Sequence, residues 1–291
     1  MKVEFGKKKL QKDRVRIQKI LMKCSEFIGY VWWNNNENRG SATCFHLGNG
    51  YILTCFHVVR DIIGKDIAVN TNRARWPSIF SKCTSIHFSY EKHNPPAEAD
   101  FGLEEVFIPN EELDCAVLQL KKIKPEDSFP PAINGTAPPP LSGLVYLIGH
   151  PGGEEKSTDS CYIVPVMCQH KEAQKCFLEG SNEPCQESGC CDPEKDKCIH
   201  SFSLRSFDDI TNPKFVTYDT CFYHGASGSP VLNSEGKVVA MHTTGYYYKT
   251  KEGGHSIMEF GPSILAIDYF LKSIPEITGD PITTAEPMET D

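Results

Sequence analysis

No run of about 18 apolar residues occurs anywhere in the sequence, so no membrane-crossing helix is expected. The first residues are charged and lack an apolar h-region, so a cleavable secretory signal is not expected either. No regular alternation of strand-like and helix-like segments is present, which argues against a parallel α/β sheet. Disulfides are not expected despite 13 cysteines. The count is odd, and without a secretory signal free thiols in a reducing compartment fit better. Turn formers are abundant, with 22 Gly and 20 Pro, and 40% of residues are hydrophobic, enough for many short strands around a substantial core.

Net charge is −8 but unevenly spread. Nine Lys and Arg between Met1 and Lys23 stand against only Glu4 and Asp13, so that segment carries +7 and the remainder −15. A basic arm on an acidic body suits DNA or chromatin, a nuclear address or contact with its own body, and equally a solvated helix end. Within this basic amphipathic segment, residues 1–24, Ile17, Ile20, Leu21 and Cys24 fall at i, i+3, i+4, i+7 and form one apolar stripe. A helix this short is marginal alone, so the stripe needs a partner surface. The barrel of its own chain and the same helix of a second copy both qualify, and a homodimer is the expectation.

The stretch "GSATCFHLGNGYILTCFHVV" reads as a hairpin turning at Gly48-Asn49-Gly50, and "PVLNSEGKVVAMHTTG" as another turning at Asn233 to Gly236. "PSILAIDYFLKSI" has helical spacing and closes the pattern. The expected class is all-β, two six-stranded antiparallel barrels over residues 25–274 with an N-terminal and a C-terminal helix. Residues 168–200 hold six cysteines and many charges without periodicity, and read as an insertion loop. Cys185, Cys190, Cys191, Cys198 and His200 there could coordinate zinc, but none has C-x₂-C spacing and adjacent Cys190-Cys191 suits one tetrahedron poorly. Neither a metal nor a cofactor is therefore expected. Residues 275–291 are Thr-, Pro- and Glu-rich and read as a disordered tail.

The chemistry-bearing stretch is "FYHGASGSPV", Phe222 to Val231. Glycines around Ser227 allow a tight turn that presents one hydroxyl and aims backbone N–H groups. A nucleophilic serine needs a base, and the base needs an acid to orient it. His57 reads as ending the strand in "YILTCFHVV", just before Val58-Val59 and a turn of helix, and so as lying at a strand end facing a cleft. Asp114 opens "DCAVLQL" at what reads as an inward position of a buried strand, where an unpaired carboxylate would cost several kcal/mol. An imidazole N–H would satisfy it; capping the Glu111-Glu112 turn is the alternative.

The order His57, Asp114, Ser227, in the contexts "TCFHVV", "DCAVLQL" and "GASGSPV", resembles the chymotrypsin-like double-barrel peptidases. More closely, "IGYVWWNNNENRGSATCF", "LIGHPGG", "YDTCFYHGASGSPVLNSEGKVVAMHTTGYYY" and "HSIMEFGPSIL" resemble the trypsin-like peptidase domain of the family with sequence similarity one hundred and eleven, over residues 25–270. That resemblance implies a nuclear (and cytoplasmic) serine endopeptidase that cuts itself and degrades proteins trapped on DNA. Longer family members carry DNA-binding and replication-clamp-binding regions upstream. No room for them is expected here, and Gln18 and Leu21 do not complete a clamp box, because Cys24 and Ser25 stand where aromatics belong. In secreted chymotrypsin-like relatives an Asp precedes the nucleophile and pairs with a freed N-terminus; Ala226 stands there, so that activation switch is not expected.

The resemblance also implies roles. Ser227 would attack, His57 would take its proton, Asp114 would orient His57, and the Gly225 and Ser227 amides would hold the oxyanion. The strand Met241 to Gly245 would pair with extended substrate. Cys221, six residues before Ser227, brings no acid to the specificity pocket. His242, Thr243, Thr244 and Gly245 would line one wall and Gly253-Gly254 to Ser256 the other, favouring an aromatic or apolar side chain. His242 could equally be a core residue, and His150 reads as a structural turn residue. A catalytically idle scaffold and a nucleic-acid-binding module are the alternative classes.

Overall fold

The structure is a computed structural model and describes residues 2–4, 7–9, 15–35, 38–92, 98–169, 212–222, 224–250 and 253–274. The expected insertion loop beyond Gln169, with Cys176, Cys185, Cys190, Cys191, Cys198 and His200, and the expected tail, lie outside the described residues. The basic segment opens with two short paired strands that its sequence did not suggest, β1 (Lys2–Glu4) and β2 (Lys7–Lys9). The expected helix follows as α1 (Val15–Cys24).

Six strands then close a barrel: β3 (Ile28–Asn35), β4 (Asn38–Gly48), β5 (Tyr51–Cys55), β6 (Thr84–His87), β7 (Phe101–Asn110) and β8 (Cys115–Lys122), in the order β3-β4-β5-β8-β7-β6. The β4–β5 turn is the one expected. Gly48, Asn49 and Gly50 all have positive φ (130°, 52° and 79°), which Gly and Asn tolerate best. Between β5 and β6 run α2 (Phe56–Ile63), α3 (Lys65–Asn70) and α4 (Trp76–Cys83). Both α2 and α4 pack on barrel strands, so Cys115, Ala116, Val117 and Leu118 of β8 are buried on both faces, not in simple alternation.

The second half contributes β9 (Gly143–Gly149), β10 (Ser157–Ile163), β11 (Phe215–Asp219), β12 (Pro230–Leu232), β13 (Val238–Met241), β14 (Thr244–Thr250) and β15 (Gly253–Pro262), then α5 (Ile264–Leu271). Its order is β13-β12-β9-β10-β11-β15-β14. With β14 set aside, the other six repeat the first barrel's permutation: first, second, third, sixth, fifth, fourth. Closure between β13 and β15 is made by the isolated bridge Ala240–Ser263 and the Thr243 N–H to Phe260 O bond, 3.3 Å, in place of a full ladder. The second half is thus a seven-stranded sheet that keeps the strand order expected of a second six-stranded barrel, with β14 on its edge. Alternation along β9 ties the halves together. Val145 and Leu147 face the second core, while Tyr146 and Ile148 join the larger core that includes the first barrel.

The stripe on α1 faces its own chain. Leu21 and Cys24 are buried and Ile17 and Ile20 pack against the larger core. Gly236, at the β12–β13 turn with φ 76°, sits so close that a Cβ there would lie 2.6 Å from Ile20 and 2.8 Å from the Cys24 sulfur. The β12–β13 hairpin of its own chain is thus a partner of this stripe, one of the two surfaces the sequence allows. We predict that Leu21→Ala destabilises the chain by about 2–4 kcal/mol in urea unfolding. Unchanged stability with an altered sedimentation coefficient would return the stripe to an intermolecular role.

Candidate active site

Strand β5 ends at Cys55, and the chain turns directly into α2, whose Phe56, Val58, Val59, Ile62 and Ile63 are buried. His57 is thus the second residue of a helix and not the last of a strand, on the face that the core leaves open. Asp114 does not open β8 but ends the tight turn before it, in the left-handed region at φ 46°. Aspartate tolerates that conformation better than most residues. The turn is closed without its carboxylate: the Asp114 N–H donates to Glu111 O (3.2 Å) and the Leu113 N–H to Asn110 Oδ1 (3.0 Å). Both carboxylate oxygens go to His57, Oδ1 accepting its backbone N–H at 2.9 Å and Oδ2 facing its Nδ1 at 2.6 Å. The first contact also places an anion at the N-terminus of α2, where helix N–H groups are unpaired.

Across the seam, His57 Nε2 lies 3.0 Å from Ser227 Oγ. Ser227 Oγ also lies 3.0 Å from Thr243 O, an acceptor that can hold its proton when His57 does not. Burial alone would lower the His57 pKa, but the Asp114 hydrogen bond and charge, with the charge of Asp61, outweigh it and raise the pKa above 6.5. An imidazole whose Nδ1 faces a carboxylate and whose Nε2 faces a hydroxyl can take that hydroxyl's proton.

The loop carrying Ser227 has every carbonyl from His224 to Ser227 engaged. His224 O accepts from Gly152 N–H (2.5 Å), Gly225 O from Thr43 Oγ1–H (3.0 Å), Ala226 O from Ser229 N–H (2.9 Å) and Ser227 O from Thr43 N–H (2.9 Å). In planar trans peptides the N–H points opposite to the C=O, so the Gly225 and Ser227 N–H groups point away from the Gly152 and Ser229 donors. Neither N–H has an acceptor among the described residues. Gly225 and Gly228 both have φ 91°; a Cβ on Gly225 would lie 2.5 Å from His150 O, and one on Gly228 2.0 Å from Thr43 O. Ala226 is fully buried in the second core.

The pocket residues divide. Cys221 and Thr244 are exposed, Gly245 is half-buried, and β14 is an edge strand whose outer side has no partner strand among the described residues. Of the expected substrate-pairing stretch Met241 to Gly245, Met241, His242 and Thr243 are buried, and the open edge of β14 begins at Thr244. His242 is a core residue and not a wall: its Nδ1 lies 2.9 Å from the Tyr218 hydroxyl, and burial, with repulsion from His57, lowers its pKa to about 3. Thr243 contributes its carbonyl to Ser227 and its hydroxyl to Phe260 O. Of residues 253–256 only the β15 backbone is described.

Two acids from other strands reach this region, which position 221 did not suggest. Asp159 Oδ2 accepts from the Cys221 N–H (3.1 Å) and the Thr220 hydroxyl, and Glu259 Oε2 from the Thr220 N–H (3.1 Å). Glu259 is buried opposite Gly245, where a Cβ would lie 2.7 Å from its Cγ. These contacts hold residues 220–222 in place. Their sequence signal was absent, since each lies tens of residues from the position it supports. Thr43 was equally invisible, an ordinary threonine in a strand. His150 is the structural turn residue expected, stacked on Tyr90, with burial lowering its pKa to about 3.

Cys55, His57 and Asp114 bring three donor atoms within 4.8 Å, the one set among the described residues compact enough to hold a metal. Burial, with repulsion from Asp114, keeps the Cys55 thiol protonated, and it donates to His242 O at 3.4 Å. A protonated thiol is a poor ligand. The described cysteines, including Cys168 and Cys221, are unpaired thiols.

The family described as the trypsin-like peptidase domain matches residues 42–241, a span running from β4 through the Ser227 loop to the end of β13. The chain belongs to the trypsin-like peptidase domain family. It is 39% identical over 274 residues to serine protease FAM111A of Mus musculus and 38% identical over 277 residues to serine protease FAM111B of Homo sapiens. These alignments cover 93% and 91% of this chain but only 43% and 35% of those relatives, so the chain spans less than half of either. The resemblance read from the motifs is thus borne out. Among solved structures, the active form of the Rv3671c protease from M. tuberculosis aligns with a TM-score of 0.51 at 14% identity, over 90% of this chain and 87% of that one. An HtrA-type protease with a bound tripeptide aligns with a TM-score of 0.51 at 13% identity, over 89% and 64%. Both share the fold. The chain carries a serine-peptidase domain.

The raised His57 pKa gives a direct test. Imidazole NMR should show His57 titrating above 6.5, and Asp114→Asn should bring it down, because the hydrogen bond and charge that offset burial are both lost. A wild-type value at or below 6.5 would contradict the electrostatic account.

Proposed function

We propose that this chain is a serine endopeptidase working through a Ser227–His57–Asp114 triad and an acyl-enzyme. The observation that supports it most is the continuous pair of contacts from Asp114 Oδ2 through His57 to Ser227 Oγ, 2.6 and 3.0 Å, joining residues from both barrels. In the first step Ser227 Oγ bonds to the scissile carbonyl carbon, its proton passes to His57 Nε2, and Asp114 stabilises the imidazolium. The Gly225 and Ser227 N–H groups receive the oxyanion. His57 then protonates the leaving amine, and water repeats the sequence to release the acyl group. Ser227→Ala should abolish both fluorophosphonate labelling and peptide cleavage while leaving the fold intact, and Asp114→Asn should lose about 10⁴ in turnover. Near-wild-type cleavage by Ser227→Ala sinks the triad, and an unlabelled, idle wild type favours the scaffold reading.

Extended substrate would add to the open edge of β14 from Thr244 onward. An aromatic or apolar residue before the scissile bond fits best. Asp159 and Glu259 each spend an oxygen on backbone N–H groups of residues 220 and 221, and buried Phe222 and Met258 are apolar neighbours. Peptides with Phe or Tyr at that position should show a higher kcat/KM than matched Lys peptides. The opposite order would make one of the two acids a specificity residue.

Family resemblance alone supports the wider setting: a nuclear enzyme that cuts itself and acts on proteins bound to DNA. The basic residues between Met1 and Lys23 agree with it.

A further inference from the structure

We infer that Thr43 is the positioning residue of the oxyanion hole, and that this chain holds the hole open with a hydrogen-bond relay between its two barrels. The inference rests on the serine-peptidase reading above. Ala226 has no side chain to anchor the loop by an ion pair, yet Gly225 must keep φ near 91°, a state that a glycine leaves as readily as it enters. Gly225 keeps it because the peptide plane on each side is pinned. The plane before it is held by Gly152 N–H on His224 O, and the plane after it by Thr43 Oγ1 on Gly225 O.

The two pins are connected. The His150 N–H donates to Thr43 Oγ1 at 3.0 Å, so the turn that supplies Gly152 also grips Thr43. This fixes the direction of the hydroxyl. A backbone N–H can only donate, so Thr43 Oγ1 accepts from His150, and its single proton is left for Gly225 O. Thr43 itself is fully buried in β4 of the first barrel. Its N–H holds Ser227 O, and its own carbonyl accepts from the Thr54 hydroxyl at 2.8 Å. One threonine therefore sets the carbonyls on either side of Ala226 in register with the barrel that carries His57. The Gly225 N–H is left pointing away from the Gly152 donor.

Thr43→Val keeps the shape and removes only the hydroxyl, stranding the Gly225 carbonyl and the His150 N–H. The expected result is a fall in kcat of about 10-fold to 100-fold with KM within about 2-fold, since losing an oxyanion donor outright costs about 10²–10³. Affinity for a peptide boronate should fall by the same factor. The low-field His57–Asp114 proton signal should be unchanged, and Thr43→Ser should restore turnover. Replacing the Gly152 amide with an ester removes the other pin and should give the same split. An unchanged kcat in Thr43→Val overturns the inference, as does a loss that Thr43→Ser fails to restore or that leaves boronate affinity intact. If Thr43→Val does not fold, the Gly152 ester decides, and full turnover there overturns it. Failure of the peptidase reading shows separately, as a wild type idle toward peptides. The relay is then read from the amide signals of residues 225–227, which must broaden or shift in Thr43→Val; unchanged signals overturn it.

Discussion

His57 and Asp114 belong to one barrel and Ser227 to the other, so the 3.0 Å between His57 Nε2 and Ser227 Oγ is a distance across a seam. A proton cannot be passed reliably if two packed bodies slide by an ångström. The seam is held by contacts of several kinds. Apolar side chains of β9, β12 and β13, including Tyr146, Ile148, Leu232 and Met241, share one core with the first barrel. Thr43 N–H and the Cys55 thiol bond to carbonyls of the second half. Lys156, before β10, buries its ammonium against Ser25 O and Phe88 O, both at 2.8 Å. Burial lowers that lysine's pKa, and the charges of Glu91 and Asp100 oppose the loss of its proton. Each contact is modest alone, but a buried donor stripped of its acceptor costs about 1–3 kcal/mol, which resists sliding.

The acid shows how one residue can bear opposing costs. A left-handed conformation costs a non-glycine residue roughly 1–2 kcal/mol, and partial withdrawal of a carboxylate from water adds to that cost. Asp114 meets both. Against them stand two charge-assisted bonds to one residue, each stronger than a neutral hydrogen bond, and a Phe56 N–H to Asp114 O bond of 3.1 Å. The same contacts orient His57, because its backbone N–H and its ring bind the two oxygens of one carboxylate. Its ring plane is then set by the turn at Asp114 as much as by its own helix.

What was legible in the sequence was whatever repeats or is compressed into a few neighbours. The hairpins at Gly48 to Gly50 and Asn233 to Gly236, the α1 stripe and the three triad contexts all have local signatures. Where each triad residue sits was less legible. His57 reads as strand because "YILTCFHVV" is rich in β-branched and aromatic residues, yet α2 begins at Phe56, since the apolar residues after Cys55 also satisfy a helical face. The partner of the α1 stripe was illegible, because an amphipathic face records that something covers it and not what does. Thr43, Asp159 and Glu259 were missed because a hydroxyl in a strand or an acid between apolar residues gains its role only from a loop brought to it by the fold.

Three imidazoles crowd the site, and the same desolvation acts on each with different outcomes. At His150 and His242 burial prevails and the pKa falls to about 3. Their ring partners are neutral: the Glu154 carbonyl for one, the Tyr218 hydroxyl for the other. At His57 a full negative charge faces the ring and the pKa rises. The contrast matters for the reaction. In the proposed reaction His57 becomes positive in the transition state, and a second cation beside it would oppose that step. Repulsion between His242 and His57 already contributes to the low His242 value, so a neutral His242 leaves the Asp114 field uncancelled. The stability consequences have opposite signs. A raised pKa contributes stability in full below 6.5, lost as pH rises through the folded value. The two depressed ones contribute above 6.5 and lose it as pH falls toward about 3. Acidification thus strengthens the His57–Asp114 contact while it weakens the buried packing that holds Ser227 opposite.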